Sequence, residues 1–192
     1  ATWKRAAEIA KAGDTVYFRG GTYYLSNSVG MNGRNNQINN GEPNNYICFF
    51  GYPPDILKGD SIIFDFSLNP VTKPDHDYID SIFLADGNQL SGETNTGISI
   101  SWADYLHFKD FTIRNVYQRY RYVLSTGFYL LGCTNVKVEN LNIYNIGTQG
   151  LMYDPSYYKA DTSYFLNIDI HNCIDSLSIN PTNYFNGKAG TR

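Results

Sequence analysis

Three stretches of the chain share one nine-residue pattern: FKDFTIRNV at residues 108–116, VENLNIYNI at 138–146 and FLNIDIHNC at 165–173. Each follows apolar–x–Asp/Asn–apolar–x–Ile–x–Asn–apolar without a gap, and successive copies begin 30 and 27 residues apart. A shorter copy, IFDFSL at 63–68, keeps the first six positions. Self-similarity at this period indicates a solenoid, and the alternation within each copy is that of a strand. We therefore predict an all-β fold, a right-handed parallel β-helix with one repeat in each coil.

Two further features of the repeat fit this architecture. The asparagines that close the copies are expected where the chain turns, because Asn tolerates left-handed backbone and stacked amides about 4.8 Å apart can form a hydrogen-bonded ladder. They are Asn115, Asn145 and Asn172. A second register is expected to open a short strand ahead of the next copy, at Gly97-Ile98, Gly127-Phe128 and Gly150-Leu151. We therefore interpret these asparagines as structural residues rather than catalytic ones.

The chain opens with one short amphipathic segment. Trp3 and the apolar residues after it fall at helical spacings, Thr2 can act as N-cap, and Gly13 stands where a C′ glycine is expected. Because a solenoid exposes its first apolar layer, we expect this short N-terminal α-helix, Trp3–Ala12, to cap that end of the β-helix.

The first coil is expected directly after the helix. Strands are predicted at Thr15–Phe18 and Thr22–Leu25, with a tight corner at 19–21 between them. The Arg-Gly-Gly of this corner is similar to phosphate-binding turns, but no helix follows the glycines, so no anion site is predicted. The polar stretches 26–45 and 69–80 are predicted as long loops, which are uncommon in compact domains unless they carry function.

Composition and charge exclude several classes of function. The chain has 15 Lys and Arg against 18 Asp and Glu, whereas nucleic-acid-binding domains usually present a basic face. No run approaches the roughly 18 consecutive apolar residues that a membrane span needs. The three cysteines cannot all pair, so we expect no disulfide framework and at least one buried thiol. The 17 tyrosines suit both strands and surfaces that stack on sugars.

Three segments carry a resemblance to a known family: AGDTVYFRGGTYY at 12–24, FFGYPPD at 49–55 and SIIFDFS at 61–67. In this order they resemble the N-terminal half of secreted β-helix polysaccharide lyases, above all polysaccharide lyase family 9, the pectate and rhamnogalacturonan lyases. The resemblance implies β-elimination on acidic plant cell-wall polysaccharide, with a lysine as base and with calcium, held by aspartates, as cofactor. It also implies a secreted, periplasmic or cell-surface protein, and we expect a monomer.

Catalytic and calcium-binding residues are not assigned to positions of this chain, and we expect them beyond Arg192. In the family that the chain resembles, the aspartates and the lysine follow the region that matches 180–192, and this sequence contains no Asp-Asp pair. The final coil also has no recognisable cap. We therefore expect a single domain over 1–192, with its capping helix at 1–13 and its coils at 14–192, that is incomplete at its C-terminal end and inactive by itself.

Loops between coils are the candidates for substrate contact. Arg119 and Arg121 in YQRYRY can each hold a carboxylate through two hydrogen bonds, although a surface ladder packed on neighbouring loops would also explain them. The equivalent loops of the next coils carry Tyr153, Tyr157 and Tyr184, whose rings can stack on sugars. Because consecutive loops of a solenoid stack on one face, we predict that these five residues line a groove for the acidic polymer.

Other titratable residues have plain structural alternatives. The DHD motif at 75–77 could bind a metal or be a solvated loop tip, so no metal ligand is assigned. Lys188 could be a catalytic base or a flexible loop lysine. His107 and His171 are expected on the surface, without a carboxylate partner.

Two other functions stay open at this point. A β-helix glycoside hydrolase of the polygalacturonase type would use two or three carboxylates around the scissile bond, and no acidic pair on adjacent coils is evident. A non-catalytic carbohydrate-binding β-helix would need only the tyrosine-rich loops.

Overall fold

The computed structural model describes residues 2–69, 95–117, 124–156 and 160–173. The helices in these parts of the chain are α1 (Trp3–Ile9) and α2 (Pro53–Ile56), with a 3-10 turn at Gly33–Asn35. The strands are β1 (Thr15–Phe18), β2 (Gly21–Tyr24), β3 (Val29–Asn32), β4 (Ile47–Gly51), β5 (Ile62–Asp65), β6 (Asn95–Ser101), β7 (Leu106–Val116), β8 (Ser125–Leu131), β9 (Lys137–Ile146), β10 (Gln149–Asp154) and β11 (Tyr164–Cys173). No helix in the described residues is long and apolar enough to cross a membrane.

The strands form two sheets, and all their described pairings are parallel. In the first sheet β1, β4, β7, β9 and β11 lie side by side, while β2 and β5 continue it beside the second half of β7. The second sheet has the order β3, β6, β8, β10. Successive coils thus add one strand after another to each sheet in the same direction. The predicted parallel β-helix is confirmed.

The three copies of the nine-residue pattern occupy equivalent positions in successive coils. Phe108 pairs with Val138, and Val138 pairs with Phe165. The periods of 30 and 27 residues are therefore the lengths of two coils. The inward residues Phe108 and Val138 are fully buried, and burying a side chain of this kind contributes roughly 1.5–3 kcal/mol. Stacked apolar layers of this kind hold the coils together.

The shorter copy was predicted in the wrong register. Ile63 pairs with Thr112 rather than lying level with Phe108, whose position in that coil is held by Phe49. The reason is an insertion, because residues 52–61, which include α2, separate β4 from β5. At the same level β7 has no insertion and continues through a single residue with positive φ, Asp110. The pattern is thus divided between two strands in the earlier coil.

The second register is confirmed in the second sheet. Ile98 pairs with Phe128, and Phe128 pairs with Leu151, so the glycines before them lie level in β6, β8 and β10. A Cβ on Gly127 would lie 2.7 Å from the carbonyl oxygen of Gly150. Glycine therefore allows the strands to approach closely at this level of each coil.

The helix α1 is shorter than predicted. The Thr2 side chain caps it by accepting a hydrogen bond from the Arg5 backbone N–H at 3.3 Å, as expected. The helix ends at Ile9, because Ala10 is extended, with φ −61° and ψ 138°. Gly13, with φ 90°, therefore lies in the following turn and not at the C′ position.

The Arg-Gly-Gly corner between β1 and β2 holds a carboxylate of the protein itself. Asp55 in α2 accepts hydrogen bonds from Arg19 Nε at 2.6 Å, Arg19 Nη2 at 3.1 Å and the Gly20 backbone N–H at 2.8 Å. A Cβ on Gly20 would lie 2.6 Å from Cβ of Asp60, and Gly21 has a φ of 132°. The predicted tight corner is confirmed, and the anion that it binds is internal.

The predicted loop at 26–45 contains a strand. β3 pairs with β6, which places Met31 opposite Ile100, and Met31 is buried. Within β3 only Val29 and Met31 supply apolar inward positions, so the polar composition around them concealed the strand. The Asn32 side chain accepts a hydrogen bond from a backbone N–H of the 3-10 turn that follows.

The three cysteines are free thiols, so the chain has no disulfide framework, as expected. Cys133 is fully buried, and its Sγ lies 3.5 Å from the carbonyl oxygen of Leu131. Burial raises the pKa of the Cys133 thiol to about 11. Cys133 is thus a small core residue rather than a reactive one.

Candidate functional site

Most residues that the sequence predicts to contact substrate lie outside the described residues. These are Arg119, Arg121, Tyr157 and Tyr184. The DHD motif at 75–77, Lys188 and all but the first residue of the loop predicted at 69–80 lie outside them as well. The groove that these loops were predicted to form stays a prediction.

The catalytic residues are not assigned by the structure either. They were expected beyond Arg192, and Arg192 itself lies outside the described residues, which end at Cys173. The placement of the catalytic base and the calcium ligands beyond Arg192 therefore stays a prediction from the resemblance.

Tyr153 is described, and it does not lie in a loop. It belongs to β10 and pairs with Leu130, whose side chain points into the core. Its hydroxyl lies 3.2 Å from the carbonyl oxygen of Cys133, 2.8 Å from Ser163 Oγ and in contact with the Asp161 carboxylate. Burial raises the pKa of this phenol. The position in a loop was wrong, and contact of Tyr153 with substrate stays a prediction.

The described residues that bring the most chemistry together lie on the outer side of the first sheet. Side chains alternate between inside and outside along each strand, so the pairing places outward residues of successive coils in two rows. The first row is Thr15, Cys48, His107, Lys137 and Tyr164, and the second is Tyr17, Phe50, Lys109, Glu139 and Leu166. We call these ten residues the front face.

A single carboxylate, Glu139, organises the middle of the front face. Tyr164 donates its hydroxyl to Glu139 Oε1 at 2.5 Å, and Lys109 Nζ lies 3.6 Å from Oε2. His107 Nε2 lies 3.4 Å from Oε1, an ion-pair distance without hydrogen-bond geometry. The expectation that His107 has no carboxylate partner was therefore wrong. It was also wrong for His171, whose Nδ1 lies 3.6 Å from Asp169 Oδ1.

The protonation of this group follows from its contacts. The hydrogen bond from Tyr164 lowers the pKa of Glu139, and the same bond raises the pKa of Tyr164 to about 12. Burial lowers the pKa of His107, and this effect outweighs the opposite effect of Glu139. At neutral pH we therefore expect an ionised carboxylate beside a neutral imidazole and a neutral phenol.

Lys137 is the cation of the front face that Glu139 does not pair with. Its Nζ lies 4.1 Å from the ring centroid of Tyr46 and 5.8 Å from that of Tyr164. No carboxylate oxygen of the described residues lies within ion-pair distance of this ammonium. The front face therefore carries one net positive charge, because it has two lysines, Lys109 and Lys137, and one carboxylate, Glu139.

The end of the front face near α1 is aromatic. Tyr17 is 49% exposed, and its ring contacts Phe50 and Tyr52 at centroid distances of 6.5 and 5.7 Å. The Arg19 guanidinium lies 4.8 Å above the Tyr52 ring. Rings exposed in this way offer an apolar surface on which a sugar can stack. The front face thus passes from aromatic in the first two coils to cationic in the next two.

Another row of polar residues lies further along the first sheet and is separate from the front face. Its polar groups pair with one another. Arg114 donates from Nε to Asp65 Oδ2 at 2.7 Å and from Nη1 to the Tyr144 hydroxyl at 3.0 Å. Tyr144 stacks on His171 with 5.0 Å between ring centroids. The hydrogen bond that Arg114 donates to Tyr144, followed by the contact with the Asp65 carboxylate, raises the pKa of Arg114. Because its charge is neutralised within the protein, this row is a weaker candidate for ligand binding.

Sequence reasoning missed the front face, although the repeat contains the signal. The residue directly before each copy of the pattern is His107, Lys137 or Tyr164, and the second residue of each copy is Lys109, Glu139 or Leu166. Aligning the copies one above another would have placed each set in one row. Tyr46 and Tyr17 belong to coils that lack the pattern, so only the strand pairing brings them to this surface.

The described residues do not provide a calcium site. Among them, no group of three or more His, Cys, Asp and Glu side chains is placed to hold a metal ion. Calcium prefers six to eight oxygen ligands, and the front face offers one carboxylate already surrounded by donors. A calcium site in this protein stays a prediction from the resemblance.

A family model agrees with this architecture. The family model of the Pel9A-like right-handed β-helix region matches residues 1–190. Among solved structures, the crystal structure of an alginate lyase from Paenibacillus sp. str. FPU-7 matches with a TM-score of 0.42 and 16% identity, over 88% of this chain and 40% of that one. A comparison with curated proteins found no match. The parallel coils and the match over nearly the whole chain show that it belongs to the family of the Pel9A-like right-handed β-helix region.

Proposed function

We propose that the protein is a polysaccharide lyase that cleaves an acidic pectic polysaccharide, rhamnogalacturonan or polygalacturonate, by β-elimination. The observation that carries the proposal is the front face, a partly exposed strip of aromatic rings and lysines on a β-helix of the Pel9A-like family. The segments at 12–24, 49–55 and 61–67, which resemble polysaccharide lyase family 9, favour a pectic substrate. Such a polymer lies outside cells, so we propose a secreted, periplasmic or cell-surface location.

The chemistry of the reaction explains why such a strip is useful. β-Elimination removes the proton α to a uronate carboxylate and expels the glycosidic oxygen, and negative charge develops on the carboxylate as the proton leaves. Cations placed at that charge lower the barrier, and groups that hold neighbouring sugars position the reacting bond. Strand spacing of about 4.8 Å between coils places one set of side chains per coil along an extended polymer. The front face can therefore bind several consecutive sugars.

Calcium is proposed as the cofactor only on the resemblance. When bound, it would neutralise the uronate carboxylate and acidify the adjacent proton. The described residues supply no ligand set for it, so neither its ligands nor the catalytic base is assigned here. Dependence on calcium is therefore part of the test.

The proposal is tested on the natural full-length protein with polygalacturonate and with rhamnogalacturonan, each in calcium and in excess chelator. We expect ultraviolet absorbance of an unsaturated product to rise with one of the polymers and to stop rising in chelator. A neutral glucan serves as the control and should yield no product.

Other outcomes would contradict the proposal in distinct ways. New reducing ends without ultraviolet absorbance would indicate a hydrolase. Binding of the polymer without either signal would indicate a non-catalytic carbohydrate-binding protein. Lyase activity that persists in chelator would remove calcium from the mechanism and leave the reaction in place.

A further inference from the structure

The two lysines of the front face differ in what surrounds them. Lys109 Nζ lies 3.6 Å from Glu139, so its charge is offset within the protein. Lys137 has aromatic rings beside its ammonium instead, at 4.1 Å from Tyr46 and 5.8 Å from Tyr164. A ring face attracts a cation without cancelling its charge. Among the described residues no carboxylate offsets the charge of Lys137, so this ammonium can be offered to a ligand.

The surrounding contacts keep Glu139 away from Lys137. Glu139 accepts the hydroxyl of Tyr164 at 2.5 Å and lies within ion-pair distance of Lys109 and His107. Lys137 stands in the other row of the front face, level with His107 and Tyr164. Glu139, the carboxylate of the front face, is thus committed to donors other than Lys137.

The same contacts hold the lysine ready for binding. Fixing a lysine side chain on binding costs free energy, because the side chain loses rotamer freedom. Here the Tyr164 ring is oriented by its hydrogen bond to Glu139, and the Tyr46 ring packs against Tyr105 and His107. The ammonium is partly ordered between these rings before a ligand arrives, which lowers the cost of binding.

We infer that Lys137 binds a carboxylate group of the acidic polysaccharide, in a subsite whose sides are formed by Tyr46 and Tyr164. A uronate residue fits because it combines one carboxylate with apolar C–H faces that suit tyrosine rings. The role is that of a substrate-binding residue. The inference rests on the proposed function for the identity of the ligand.

The inference is tested by measuring the affinity of the full-length protein for an oligogalacturonide, by calorimetry at low salt. Lys137→Gln should weaken binding about tenfold, the effect expected for losing one hydrogen bond between charged groups. It should also reduce the salt dependence of binding, because one ion pair is lost. Lys137→Arg should keep most of the affinity.

Matched variants separate this role from a general effect of charge. Lys58→Gln removes the same charge from the exposed turn after α2 and should leave affinity unchanged. Tyr46→Leu should weaken binding by about threefold, because it removes the ring beside the ammonium. A neutral oligosaccharide of the same length should bind Lys137→Gln and the unmodified protein equally. Thermal unfolding of each variant shows that it is folded.

The outcomes distinguish this inference from the proposed function. If Lys137→Gln binds the oligogalacturonide as tightly as Lys58→Gln does, the inference is wrong whether or not the protein is a lyase. If Lys137→Gln loses affinity and no unsaturated product ever forms, the subsite stands and the lyase proposal fails. A protein that binds no oligogalacturonide overturns the subsite, and the absorbance assay still decides the reaction.

Discussion

At the scale of single residues, Asp55 shows how one side chain joins two distant segments. It accepts three hydrogen bonds from Arg19 and Gly20, which lie about 35 residues earlier in the chain. The hydrogen bond from Arg19, followed by that from Gly20, lowers the pKa of Asp55 from 3.8 to about 2. The carboxylate, once ionised, therefore holds the first corner of the β-helix to α2.

This contact predicts a specific dependence of stability on pH. Because the pKa of Asp55 is lower in the folded state, its contribution is complete above about pH 4 and is lost as the pH falls towards 2. We expect Asp55→Asn to lower Tm at pH 7 and to match the unmodified protein near pH 2, measured by thermal unfolding across this range. Glu42→Gln, an exposed control, should change Tm only slightly. A constant difference for Asp55→Asn would contradict the prediction.

At the scale of elements, the turns within the long strands depend on asparagine. Asn115 and Asn145 have φ of 62° and 55°, and Asn145 Nδ2 donates to Asn115 Oδ1 at 3.1 Å. A second ladder runs parallel to it, in which Asn140 Nδ2 donates to Asp110 Oδ1 at 2.7 Å and Asn167 Nδ2 to Asn140 Oδ1 at 2.9 Å. The predicted stacking of the closing asparagines is confirmed for this pair, and the third position of the repeat forms a similar ladder.

Substitutions at Asn145 separate the two contributions of asparagine. Asn145→Ala should cost about 2 kcal/mol of unfolding free energy, because it loses the ladder hydrogen bond and the polar side chain through which asparagine tolerates left-handed backbone better than alanine. Asn145→Gly should cost about 1 kcal/mol, because glycine accepts positive φ. Urea unfolding measures both values. Equal losses would show that backbone conformation contributes nothing at this turn.

At the scale of the whole molecule, Trp3 covers the first apolar layer of the solenoid. Its ring contacts four phenylalanines with centroid distances of 4.5 to 5.9 Å. They are Phe18, Phe49, Phe64 and Phe111. These rings come from β1, β4, β5 and β7, so one residue of α1 touches strands of three coils. The predicted capping role of the helix is confirmed by this packing.

Removing this cap should destabilise the whole solenoid. We expect Trp3→Ala to lower the free energy of unfolding by about 3–5 kcal/mol, the usual cost of truncating a buried aromatic side chain. The uncovered layer should also promote association, which light scattering would detect. Ile9→Ala, on the same helix but 55% exposed, should cost under about 1 kcal/mol. If the two variants are equally stable, α1 does not act through Trp3.

Much of the fold could be predicted because its signals are local. The repeat records which side chains face inward, and the closing asparagines record where the backbone takes positive φ. The errors fall where local signals are weak or interrupted. The strand β3 is hidden in a polar segment, and the insertion at 52–61 shifts the shorter copy against the repeat. Neither the insertion nor the strand changes the periodicity that the remaining coils display.

By itself, the sequence determined the β-helix, its capping helix, its asparagine turns and the resemblance of its opening segments, because each depends on neighbouring residues or on a regular period. Only the tertiary structure decided the front face. Tyr46 precedes Lys137 by some 90 residues and lies in a coil without the repeat, and the pairing of β4, β7 and β9 brings the two together. Which lysine Glu139 neutralises depends on distances between coils, and these distances exist only once the strands have paired in register.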